Sequence, residues 1–187
     1  MAHVKQIVEA GVSLTRAKKA LVLLHGRGAT AEDILSLAHH LPVKDFYIVA
    51  PQATNYTWYP YSFLSPTQQN EPWLSSALEV VGSVVEDIQR AGIAPENIYV
   101  MGFSQGACLT LEFVTRNAQR WGGVVAFTGG LIGSVIEPSR YPGNFNGTPV
   151  LMTNSQNDPH VPLQRSEDSK ALLQKMGAQV SLEVFMN

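Results

Sequence analysis

Apolar residues fall along the chain in short continuous runs separated by longer amphipathic stretches. Ala20–Leu24 (ALVLL), Phe46–Ala50 (FYIVA), Asn97–Met101 (NIYVM), Gly123–Phe127 (GVVAF) and Pro149–Thr153 (PVLMT) are runs of this kind, mostly closed by Gly or Pro. Continuous apolar runs of this length suit strands buried on both faces, as in a parallel sheet. Residues 4–9 (VKQIVE) form a weaker strand candidate. The last run alternates: Val180, Leu182, Val184 and Met186 are set against Gln179, Ser181 and Glu183. That pattern predicts a strand with one more solvated face, near a sheet edge.

Helical spacing fills the gaps. Thr30 to Asp33 has capping-box spacing ahead of Ile34, Leu35, Leu37, Ala38 and Leu41. In residues 73–91, Leu74, Ala77, Leu78, Val81, Val84, Val85 and Ile88 make one face at 3.6-residue spacing, and Gly92 fits a stop. Residues 105–118 are apolar on most sides, which predicts a well-buried helix. Residues 163–176 are amphipathic and end at Gly177. Strands alternating with helices predict a mainly parallel α/β sheet with right-handed connections. Residues 51–72 break the alternation as a long loop rich in Pro, Gln and aromatics, and such loops are often functional.

Composition narrows the classes. The 187 residues predict one domain, and 45% apolar content is enough for one sizeable core. Charged residues are only 15%, against about 25% in a typical soluble domain. A net charge of −2 argues against nucleic acid as a partner. No apolar run approaches the ~18 residues of a membrane span, and the start lacks the apolar core of a signal peptide. A cytoplasmic protein is expected. Low charge and surplus apolar residues leave room for a homodimer. A single cysteine excludes an intramolecular disulfide and any multi-cysteine metal site.

Three motifs carry chemistry. Gly102-Phe103-Ser104-Gln105-Gly106 matches G-x-S-x-G and lies between a predicted strand and a predicted helix. A nucleophile elbow needs that context, with small residues two before and two after the serine. The helix start offers free backbone N–H groups to a developing oxyanion. The competing reading is a serine acting as a helix N-cap. Leu23-Leu24-His25-Gly26-Arg27-Gly28 follows the strand 20–24. Its turn can supply a second oxyanion donor, the N–H of Arg27 beside that of Gln105. The Arg27 side chain is expected to face solvent or to meet an acidic substrate group, and His25 to hold the loop. A phosphate loop would need more glycines and a lysine. Asn157-Asp158-Pro159-His160-Val161-Pro162 follows the strand 149–153. A carboxylate there fits the order Ser…acid…His, although Asp-Pro is also a common turn.

Together these residues resemble the phospholipase/carboxylesterase family of α/β-hydrolases, which includes the acyl-protein thioesterases. The resemblance rests on LLHGRG (23–28), GFSQGA (102–107), FTGGL (127–131) and NDPHVP (157–162). WYPYSF (58–63) and EPWLSSAL (71–78) look like a bacterial branch. It covers essentially the whole chain. It implies a three-layer α/β-hydrolase sandwich and a serine esterase or thioesterase acting on small or acyl esters without metal or organic cofactor. Ser104 matches the family nucleophile, Asp158 the triad acid, and Arg27 and Gln105 the oxyanion hole. Trp58, Tyr59, Tyr61, Phe63 and Leu131 would border the acyl pocket.

The family pattern also requires a histidine after the final strand. The five histidines are His3, His25, His39, His40 and His160, and only His160 follows Asp158. In the family the histidine of DPHVP is not the base. The expectation is therefore a domain lacking a C-terminal loop and helix, with the 187-residue form impaired, because triad members act as a unit. The alternative from another class is a non-catalytic binding protein on the same fold. Cys108, one helical turn past Ser104, is expected to be a small core residue.

Overall fold

The computed structural model describes residues 2–186. Seven strands form one sheet in the order β1-β3-β2-β4-β5-β6-β7. They are β1 (Ile7–Gly11), β2 (Ala20–Leu24), β3 (Tyr47–Pro51), β4 (Ile98–Phe103), β5 (Gly123–Phe127), β6 (Pro149–Ser155) and β7 (Gln179–Phe185). β1 pairs antiparallel with β3, and every other pairing is parallel. All five residues of β2 and of β3 are buried, as their unbroken apolar sequence requires. The alternating run at the end is the edge strand β7, whose Val184 and Phe185 lie exposed.

Four helices flank the sheet: α1 (Ala31–Leu35), α2 (Trp73–Arg90), α3 (Gln105–Arg116) and α4 (Leu163–Lys175). The predicted face of α2 is the buried one, with Leu74, Ala77, Val81, Val84, Val85 and Ile88 inside. At about 1.5–3 kcal/mol for each large aliphatic side chain, burial of that stripe against the sheet offsets part of the cost of ordering the helix. Side chains of α2, α3 and α4 share one core with Val22, Val100, Val124 and Val150. On the other face α1 packs with Leu21, Leu23, Ile48 and Met101. Beyond α1 that face is less covered. A groove of about 770 Å³ runs over Tyr99, Val125 and Leu151.

The pattern 30–41 is not one helix. α1 ends at Leu35 and tightens into a 3₁₀ segment over Ser36–His40. The Ser36 hydroxyl donates to Asp33 O (2.6 Å), and Pro42 forces Leu41 into extended backbone, which ends the helix. The Thr30 hydroxyl accepts from Asp33 N–H, as a capping residue should. No described helix is long and apolar enough to cross a membrane.

Candidate active site

The turn between β4 and α3 is strained and sterically closed. Ser104 sits at φ 55°, ψ −116°, outside the regions comfortable for a non-glycine residue. Its N–H donates to Phe127 O (2.9 Å), and its carbonyl accepts from Cys108 N–H (3.0 Å). The flanking glycines have steric reasons. A Cβ on Gly102 would lie 2.2 Å from Gly106 O, and one on Gly106 would lie 2.1 Å from Leu24 O. Gly106 thus lets the start of α3 press against the end of β2, which brings the turn 25–28 beside Ser104. Gln105 is the first helical residue, so its N–H has no acceptor within α3. In the turn 25–28, Gly28 N–H donates to Tyr56 O and Ala29 N–H to Gly26 O. Among the described residues the Arg27 N–H has no protein acceptor.

A cavity of about 570 Å³ opens at this point. Gly26, Arg27, Ser104, Gln105, Phe103 and Cys108 line one side, with Tyr59, Pro60, Tyr61 and Phe63 opposite and His160 and Val161 at one end. Four of the aromatics named from sequence are therefore divided in their placement. Tyr59, Tyr61 and Phe63 reach the wall. Trp58 is fully buried behind it, its indole N–H donating to His25 O (2.9 Å) and its ring stacked on the imidazole. Leu131 is also fully buried and does not line the cavity; its N–H donates to Ser169 Oγ (2.9 Å). Burial pushes the Cys108 thiol up to about 12, so it is neutral at ordinary pH.

The histidines separate by their bonds. The His25 ring bonds to Gly26 O through Nδ1 (2.7 Å) and accepts Ala53 N–H at Nε2 (3.0 Å). That pairing fixes the Nδ1–H tautomer and leaves the ring no free nitrogen for chemistry. Burial lowers its pKa, so it stays neutral. His3 is engaged in the same manner, with Trp58 O at Nε2 (2.8 Å) and Thr54 N–H at Nδ1 (3.1 Å). His39 and His40 lie in the 3₁₀ segment after α1. His160 reaches the cavity, but only its backbone N–H meets Asp158 (2.8 Å). Among the described residues no histidine ring bonds to Ser104 or Asp158.

Asp158 Oδ1 accepts the N–H groups of His160 (2.8 Å) and Val161 (2.7 Å), so one oxygen shapes the turn after β6. Buried Asn154 supports the same loop, its Nδ2 donating to Val161 O (3.1 Å) and Ser166 Oγ (3.0 Å). Arg27 is exposed, as one of the two expectations had it, but its side chain is tied to the chain rather than free. It donates to Thr57 Oγ1, Tyr59 O, Pro60 O and Tyr61 O. The Gln105 carboxamide binds the same segment. Sequence reasoning missed both. Each is a long-range contact to irregular backbone, and no spacing rule encodes such a contact.

The model of the phospholipase/carboxylesterase family matches residues 5–187. The chain belongs to this family. A crystal structure of a phospholipase/carboxylesterase from Dyadobacter fermentans superposes with a TM-score of 0.97 at 54% identity, over 99% of this chain and 88% of that one. Acyl-protein thioesterase 1 of Kluyveromyces lactis is 28% identical over 177 residues, 85% of this chain and 78% of the relative. A probable carboxylesterase of Oryza sativa is 30% identical over 121 residues, 65% of this chain and 46% of that protein. The matched region thus spans about half the length of such plant relatives. The sheet and its flanking helices are those of the α/β-hydrolase fold.

Proposed function

We propose that this phospholipase/carboxylesterase family member is a serine esterase or thioesterase, cleaving small or acyl esters through an acyl-enzyme. The observation that carries the reading is the strained Ser104 at the β4–α3 turn, opening into a cavity beside two unpaired backbone donors. Ser104 Oγ attacks the carbonyl carbon, and the carbonyl π electrons move to oxygen. The N–H groups of Arg27 and Gln105 receive that oxyanion. Collapse expels the alkoxide or thiolate, which takes up the proton that the base removed from the Ser104 hydroxyl during the attack. Water then attacks the acyl-enzyme and releases the acid, restoring Ser104. Asp158 orients the base through its second carboxylate oxygen, which has no hydrogen-bond partner among the described residues. The base is a histidine that is not seen beside Ser104: both ring nitrogens of His3 and His25 are committed, and among the described residues no ring of His39, His40 or His160 bonds to Ser104 or Asp158.

Chemical rescue tests this reading. Imidazole added to the 187-residue chain should raise hydrolysis of p-nitrophenyl butyrate saturably, and Ser104→Ala should remove that gain. Equal imidazole-dependent rates for the two proteins would overturn it. They would favour the second reading, a non-catalytic binding protein on the same fold.

A further inference from the structure

The two residues proposed as oxyanion donors also grip the opposite wall of the cavity with their side chains. Arg27 Nη1 donates to Thr57 Oγ1 (2.9 Å), Tyr59 O (2.9 Å) and Pro60 O (3.1 Å), and Nη2 to Tyr61 O (2.8 Å). Its guanidinium lies 5.7 Å from the centre of the Tyr59 ring. The Gln105 carboxamide donates to Tyr59 O (2.9 Å) and accepts Trp58 N–H (2.9 Å). Residues 57–61 have no helix or strand of their own. Among the described residues no backbone N–H reaches the carbonyls of residues 59–61. The Thr57 hydroxyl donates to Tyr59 O (2.9 Å), and the other donors to these carbonyls come from Arg27 and Gln105 across the cavity.

We infer that the Arg27 guanidinium, working with the Gln105 carboxamide, is a clamp that sets the aromatic wall at a fixed distance from the oxyanion turn. That makes Arg27 a positioning residue that determines which acyl groups fit. A flat fork of five donors can serve several carbonyls arrayed around it, whereas a lysine ammonium is a compact point charge on a flexible stem. The wall Tyr59–Phe63 and the turn 25–28 then move as one body. A change in the wall is felt at the oxyanion donors, and a displaced donor is felt in the acyl pocket. Charge alone does not perform this role, so Arg27→Lys cannot replace the arginine. The clamp itself follows from geometry. Its consequence for substrate choice rests on the esterase reading.

The test uses the 187-residue chain, Arg27→Lys, Arg27→Met and Ser104→Ala. Amide hydrogen exchange is followed in peptides covering residues 57–63, with α3 as internal reference. Both Arg27 variants should exchange about tenfold faster or more at 57–63 while α3 is unchanged, since charge-assisted bonds to the segment are lost. Imidazole-supported hydrolysis is then compared for acetate, butyrate and octanoate p-nitrophenyl esters. Both variants should lose several-fold of whatever chain-length discrimination the parent has, with the larger change in KM for the better ester. Unchanged exchange at 57–63 overturns the clamp. Full recovery of exchange and discrimination by Arg27→Lys overturns it too. Turnover that survives Ser104→Ala overturns the esterase reading and the specificity consequence, while the exchange result still decides the clamp.

Discussion

Ser104 and its two glycines form one steric unit. The strained backbone at Ser104 costs about 1–3 kcal/mol and persists because the neighbours permit no other path. Gly106→Ala would drive a methyl group to 2.1 Å from Leu24 O, a rigid strand carbonyl. It should destabilise the protein by about 1–3 kcal/mol or more in urea unfolding and shift α3 away from β2. An unfolding midpoint equal to the parent's would refute the steric explanation. A second residue acts at long range. Glu112 is fully buried in α3 and accepts from Ile132 N–H (2.9 Å), Tyr141 Oη (2.9 Å) and Arg116 Nε (2.7 Å). Glu112→Ala orphans two buried donors, each worth about 1–3 kcal/mol, so a loss of about 2–6 kcal/mol is expected by chemical denaturation. Glu112→Gln, which keeps an acceptor, should cost less.

At the scale of elements, local chemistry and tertiary contacts divide the work. α1 is only five residues long, and its start depends on the Thr30 cap. Thr30→Ala should cost about 1 kcal/mol in thermal or chemical unfolding. The strands β2 to β6 and the helix α2 were legible because burial on one or two faces writes a period into the sequence. The strand candidate 4–9 is displaced, since β1 is Ile7–Gly11 and Glu9 is exposed on an antiparallel edge that imposes no strong pattern. The motif glycines were legible because close backbone approach admits only one residue type. The clamp of Arg27 and Gln105 was not legible, nor were the burial of Trp58 and Leu131 away from the cavity. Those depend on how a loop without period folds back across the sheet end. His25 was readable as a loop holder, and its two ring bonds agree.

For the whole molecule, the sheet places the three candidate motifs at the carboxyl ends of parallel strands. Ser104 follows β4, the turn 25–28 follows β2 and Asp158 follows β6, where ligands of open α/β sheets bind. The pH response is also a property of the whole fold. His3 and His25 are kept neutral by burial, so their folded pKa values lie below the ordinary value near 6.5. The unfolded chain therefore binds more protons over that interval, and stability rises with pH across it. The melting temperature should be flat above about pH 7 and fall as pH drops below about 6.5 through the folded pKa values. A constant melting temperature over that acid range would contradict the buried neutral imidazoles.

The covalent role of Ser104 can be read directly. The chain is incubated with a fluorophosphonate probe, with and without imidazole, and the modified residue is located by peptide mass spectrometry. The expected result is a single adduct on Ser104, formed faster with imidazole and lost in Ser104→Ala. An adduct on another residue in its place, or no adduct on Ser104 in the folded protein even with imidazole, would contradict the assignment.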